Sequence, residues 1–207
     1  MTSVLMSEDL KNFKENKCSI VKNIISDDLL NYLNVAVELD AIRERTNATQ
    51  VVGSKEMYNI LSINIVNQII RAKIKDALKL DTLYSTYTFY RKYYKGQELM
   101  VHTDRPSCEI SLSLCLNMAD KTKPWSIFFK NNDHEITYEA KPSVGDGVLY
   151  LGCELPHWRE KCEQKWVKQI FFHYSTNAEL EFDNFNFQKP EEDILRSNFI
   201  KHILEQL

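Results

Sequence analysis

The chain has 207 residues, with 26 Lys and Arg against 29 Asp and Glu, a formal charge of −3. Only five glycines and five prolines accompany a hydrophobic share of 43%, which excludes collagen-like, linker and low-complexity chains and leaves enough apolar mass for a core. A mildly acidic chain of this length reads as one domain with no basic field to hold a phosphate backbone, so no nucleic-acid partner is expected.

The opening MTSVLMSEDLKNFKENK lacks a basic start followed by an apolar block, so no signal peptide is expected. No apolar run approaches the roughly 18–20 residues that span a bilayer, so no membrane partner is expected. The five cysteines are sparse and none forms a CxxC pair. Reduced thiols in a cytoplasmic compartment are the simplest account.

CSIVKNII, residues 18–25, reads as a short strand. Ser26, Asp27 and Asp28 then offer capping oxygens to a helix through LLNYLNVAVELDAI. Residues 43–58 are polar, contain Gly53 and read as a loop. A second helix is expected from about Asn59 to Leu80, with an apolar face at positions 61, 65, 69, 74 and 78. From about residue 83 the texture becomes that of strands: LYSTYTFYRKYY, EISLSLCLN, WSIFFK, HEITYEA, GVLYL and WVKQIFFHY. Turns fall at Lys95-Gly96, Asn131-Asn132-Asp133 and Gly145-Asp146-Gly147. A last helix is expected after Pro190, with a stripe of Ile194, Leu195, Phe199, Ile203 and Leu207. Helices, then seven or eight strands, then a helix describe an α+β chain: a helical part over about 1–82, a β-sandwich or jelly roll over about 83–175, and a tail and helix over about 176–207.

Two histidines and one acid carry the chemistry. In His102-Thr103-Asp104 the imidazole and carboxylate are two apart, and on a strand they would project from the same face and could converge on one metal. His157 ends a second strand-like stretch, GVLYLGCELPH. Two histidines and one carboxylate are the ligand set of a non-haem Fe(II) facial triad, which leaves coordination sites open for co-substrate and dioxygen. His134 and His202 read as surface residues and His173 as a packed core histidine. Arg105 reads as an ion-pair partner, and Trp125 and Trp158 as packing residues, with substrate contact as the alternative for all three.

Four stretches make the chain resemble the 2-oxoglutarate/Fe(II)-dependent dioxygenases, and within them the prolyl-4-hydroxylase-like branch. TYTFYRKYYKGQELMVHTD is similar to that branch's Y-x-x-G-Q segment ending in H-x-D, and RPSCEISLSLCLN to the strand after it. GDGVLYLGCELPHW resembles the turn, strand and second histidine, and KWVKQIFFH the strand bearing the co-substrate lysine. They cover about residues 85–174. The resemblance implies a double-stranded β-helix (jelly roll), with Fe(II) held by His102, Asp104 and His157. It implies 2-oxoglutarate and O2 as co-substrates and is compatible with ascorbate as an accessory reductant. Tyr93 and Lys165 would bind the distal carboxylate of 2-oxoglutarate. The interval from His157 to Lys165 is eight residues, two shorter than the branch pattern, so Arg159 and Lys168 remain competitors; alternation along 165–174 leaves neither face cleanly apolar and does not choose.

The expected activity is hydroxylation of a prolyl residue in a peptide or protein. A free amino acid or other small metabolite is the alternative substrate. A cupin-type metal enzyme that does not use 2-oxoglutarate, or a non-catalytic binding module on the same fold, are the other readings.

Overall fold

The computed structural model describes residues 7–44, 46, 48, 50–130 and 136–181. The helix expected after Pro190, with His202, and also His134 lie outside the described residues. Described in chain order are α1 (Ser7–Asn16), β1 (Cys18–Val21), α2 (Asp27–Leu39), β2 (Lys55–Tyr58), α3 (Leu61–Leu78), β3 (Tyr84–Tyr94), β4 (Leu99–His102), β5 (Ile110–Met118), β6 (Ile127–Lys130), β7 (Ile136–Ala140), β8 (Gly147–Tyr150), β9 (His157–Arg159) and β10 (Trp166–Ser175).

The strands form two antiparallel sheets, one of six in the order β1-β8-β5-β10-β3-β2 and one of four in the order β4-β9-β6-β7. Non-sequential neighbours in both make a jelly roll, as expected of the strand run. The part before residue 83 is not purely helical: β1 and β2 close the two edges of the larger sheet. β2 falls within the expected 43–58 loop, because Lys55-Glu56-Met57-Tyr58 is too short and polar to signal a strand before it pairs with β3.

α2 begins where the capping residues predict, the Ser26 hydroxyl accepting from the Leu29 N–H at 3.3 Å. α3 is placed as expected, but its buried stripe is Ile63, Val66, Ile70 and Ile74, while Ile65 and Ile69 are exposed. Apolar residues lie on more than one side of this helix, and the side turned to the larger sheet is the one that packs against Leu112, Leu114, Ile170 and Phe172. Each such aliphatic burial is worth roughly 1.5–3 kcal/mol.

β10 has both faces covered. Ile170, Phe172 and Tyr174 join the core beneath the helices, and Val167 and Phe171 join the one between the sheets. This double burial is why alternation along the strand is uninformative. Lys168 falls on the helix side, where it pairs with Glu38 of α2.

Candidate metal centre

β4 and β9 lie side by side, with His102 opposite His157 and Leu99 opposite Arg159. Four- and three-residue strands carry too little pattern to be read from sequence, yet they place both histidines. His102 Nδ1 lies 2.9 Å from the Met100 carbonyl, and His157 Nδ1 lies 2.8 Å from the Leu155 carbonyl. A carbonyl only accepts, so both Nδ1 atoms carry the proton and both Nε2 atoms present lone pairs. Those Nε2 atoms sit 3.6 and 3.7 Å from one oxygen of Asp104. The three ligand atoms all lie within 4.8 Å of one another, the spread of donors that converge on a single ion.

Burial alone would depress the His102 imidazolium, but the Asp104 carboxylate and the Met100 carbonyl outweigh it and its pKa is raised. Burial keeps His157 below the ordinary imidazole range. Burial would raise Asp104, yet its close approach to the His102 imidazole and the further attraction of His157 and His173 hold it below the usual carboxylate range. An ionised acid beside two imidazoles is the donor set that suits a divalent cation, which binds the imidazoles in their neutral form.

Asp104 is seated by a close approach of backbone. Its N–H donates to the Gly152 carbonyl at 2.8 Å. A Cβ on Gly152 would stand 2.3 Å from the Asp104 Oδ2 and 2.5 Å from the Cys108 carbonyl, so no larger residue fits there unshifted.

Asp104 also meets Cys108 and His173 in a second convergent group. Its thiol is a poor donor: burial pushes Cys108 up, and Tyr87 engages it, with the phenol oxygen 3.2 Å from the sulfur. His173 is buried, as expected of a packed histidine, and its Nδ1 is 2.9 Å from the Ser111 hydroxyl.

A cavity of about 250 Å³ opens beside the triad. Tyr93, Phe89 and Arg91 of β3 line it, together with Tyr58, Gln50 and Phe171. Sequence reasoning missed Arg91 and Gln50. Arg91 is two residues before Tyr93 and shares its strand face, a signal that was present; nothing marks Gln50.

The three candidate cations separate. Lys165 is exposed, precedes β10 and lines a different depression with Trp125, Glu160 and Gln164. The turn before it is pinned by paired hydrogen bonds, Cys162 N–H to Gln97 O at 2.7 Å and Gly96 N–H to Cys162 O at 2.8 Å. The short interval after His157 therefore reaches the rim before the strand begins. Lys168 faces α2. Arg159, two residues after His157, points between the sheets and is 1% exposed. Its Nη1 donates to the Trp125 carbonyl at 2.9 Å, its Nη2 is 3.4 Å from the Ser113 hydroxyl, and its guanidinium lies 4.9 Å from the Trp125 ring centre. The Trp125 ring in turn stands edge-on to Tyr93 at 4.9 Å. Among the described residues no carboxylate pairs with Arg159, and its Nε–H and the Tyr93 hydroxyl are both buried without a hydrogen-bond partner. Burial lowers the Arg159 pKa.

Of the residues read as packing or pairing, Trp125 belongs to the inter-sheet core, Trp158 stacks on Phe128 at 5.3 Å, and the Arg105 guanidinium lies 4.7 Å from the Tyr87 ring centre. Among the described residues no helix is long and apolar enough to cross a membrane.

No family model and no curated protein sequence matches the chain. Solved structures match its fold. A Pseudomonas putida prolyl-4-hydroxylase superposes with a TM-score of 0.63 at 15% identity, over 82% of this chain and 98% of that one. An oxidoreductase of the 2OG-Fe(II) oxygenase family from Burkholderia pseudomallei gives 0.68 at 12% identity, over 83% and 90%. HygX from Streptomyces hygroscopicus, solved with nickel and 2-oxoglutarate bound, gives 0.65 at 12% identity, over 91% and 99%. The chain thus has the jelly-roll fold of the 2-oxoglutarate/Fe(II) oxygenases.

Proposed function

We propose that the chain is an Fe(II)- and 2-oxoglutarate-dependent dioxygenase that hydroxylates a prolyl residue in a peptide or protein. The observation that carries the reading is the convergence of the His102 and His157 Nε2 atoms on Asp104 at the wall of a cavity. His102, Asp104 and His157 would hold the metal.

For 2-oxoglutarate the fit rests on Arg159 and Tyr93. A buried guanidinium with no carboxylate partner costs several kcal/mol, and an unsatisfied buried phenol costs about 1–3 kcal/mol. A carboxylate between them would offset both. Arg159 is therefore our anchor for the distal carboxylate, in place of Lys165, and the Tyr93 hydroxyl supplies a second donor. The orphan donors favour a co-substrate carboxylate over a cupin-type enzyme that uses none.

When bound, iron and 2-oxoglutarate would activate O2 with loss of CO2, which is chemistry the cofactors supply. The chain's part is positional. Backbone carbonyls at Met100 and Leu155 fix the imidazole tautomers, and Gly152 leaves room for Asp104. Phe89, Phe171 and Tyr58 present an apolar wall that limits water at the reacting centre. The prolyl assignment leans on the fold shared with a prolyl-4-hydroxylase. The test is turnover of 2-oxoglutarate to succinate over a set of prolyl peptides, free amino acids and other small metabolites. Hydroxylated prolyl product supports the reading. Turnover coupled only to a small metabolite replaces the substrate, and none with iron-loaded protein removes the activity.

A further inference from the structure

Beside the triad the cavity is bordered by a chain of polar contacts that the metal does not need. Glu56 of β2 lies opposite Arg91 of β3, and the Arg91 Nη2 meets the Glu56 carboxylate at 3.1 Å. The Arg91 Nη1 donates to the Gln50 side-chain oxygen at 2.8 Å. The nitrogen of the same Gln50 amide lies 3.2 Å from His102 Nε2. His102 Nδ1 bears the proton, so Nε2 accepts and the Gln50 amide donates to it. One carboxamide thus bridges a buried guanidinium and the nitrogen proposed to bind metal.

That bridge is conditional. A single lone pair on His102 Nε2 holds either the Gln50 N–H or a metal ion. Gln50 is exposed, whereas Arg91 is 4% exposed, so the side chain that can yield is Gln50. Arg91, a lining residue of the cavity, then has its Nη1 free to donate there. Its charge is already matched by Glu56, so the pair offers donors without net charge. A neutral acceptor suits it, and an added carboxylate would face Glu56. Beside it, the Tyr58 and Phe89 rings lie 4.5 Å apart and Phe89 and Phe171 5.6 Å, an apolar wall for a compact ring or side chain.

We propose that Arg91 is a substrate-recognition residue whose guanidinium binds an amide carbonyl next to the group to be oxidised, and that the Gln50 carboxamide occupies this subsite from within the chain. The inference rests on the iron and 2-oxoglutarate reading above. It makes Gln50 a competitor of the substrate amide and leaves the 2-oxoglutarate carboxylate to Arg159.

The experiment uses anaerobic protein loaded with Fe(II) and 2-oxoglutarate, read by its visible charge-transfer band. The probes are N-acetylproline N-methylamide, which carries amides on both sides, and N-acetylproline, which ends in a carboxylate. The methylamide should shift the band at lower concentration than the acid. Gln50→Ala should tighten the methylamide at least fivefold and Arg91→Lys should weaken it at least tenfold, with half-saturation by 2-oxoglutarate unchanged in both. A band that ignores the methylamide, Gln50→Ala without tightening, or a changed 2-oxoglutarate requirement in Arg91→Lys overturns the proposal. If the wild type gives no band at all, the parent reading fails and takes this one with it. Gln50→Ala, at an exposed position, keeps the test decisive if Arg91→Lys does not fold.

Discussion

His102 and His157 face one another across two paired strands, ring centres 4.4 Å apart, each with Nδ1 tied to the carbonyl two residues before it. The same local device is used twice, and it turns two Nε2 lone pairs toward one carboxylate. Replacing either histidine by alanine is expected to lower Fe(II) affinity at least a hundredfold, measured by anaerobic titration, with the melting temperature of the metal-free protein little changed for the half-exposed His102. Retained tight binding in both variants would place the metal elsewhere.

Gly152 controls the acid. With a Cβ 2.3 Å from the Asp104 Oδ2, Gly152→Ala must displace either the carboxylate or the Cys108 backbone. We expect at least a tenfold loss of Fe(II) affinity in a protein whose circular dichroism is unchanged. Gly96 is the control: its φ of 85° strains any larger residue there, but nothing lies within 4 Å of its Cβ position, so Gly96→Ala should cost stability and spare the metal.

Arg159 gives opposite signs in two measurements. Its buried, carboxylate-free guanidinium opposes folding in the absence of a ligand, so Arg159→Met should hold or raise the melting temperature of the metal-free protein. The same change should raise the 2-oxoglutarate concentration needed for half-saturation at least tenfold. Lys165→Ala, at an exposed position outside the cavity, should leave both within about twofold, as surface charges generally do. The reverse pattern would return the anchor to Lys165.

His173 predicts an acid limit. Burial pushes its pKa from 6.5 down to about 4, so the folded protein holds it neutral while the unfolded chain protonates it near 6.5. Its contribution is complete above about pH 6.5 and is lost as pH falls toward 4, a gap on the order of 3 kcal/mol. His157 is depressed in the same direction. Chelator-treated protein should therefore melt at lower temperature at pH 5 than at pH 7, and His173→Gln should reduce that difference. An undiminished difference would assign the acid sensitivity to other groups.

The long strands and both main helices were legible because each extends over enough residues for a period to register. β4 and β9 were not, although they carry the histidines, since three or four residues hold no period. The triad was nonetheless readable from the i, i+2 spacing of His102 and Asp104 and from the resemblance around His157. The same spacing puts Arg159 on the face of His157, a relation visible in the sequence. Motif likeness put Lys165 first, because KWVKQIFFH is similar to the lysine-bearing strand of that branch, with Phe171 where the pattern has a second tryptophan; the structure places Lys165 at an exposed position before β10. Gln50 lay in a polar stretch with no local sign of its role, and only the folded chain sets its amide between Arg91 and His102.

The central claim is that this chain holds Fe(II) and 2-oxoglutarate together, and the most direct measurement is an anaerobic titration of both into the metal-free protein. The account predicts a weak visible charge-transfer band that needs both components, is lost in His102→Ala, and in Arg159→Met appears only at higher 2-oxoglutarate. A folded, iron-loaded protein that develops no such band at saturating 2-oxoglutarate would contradict it.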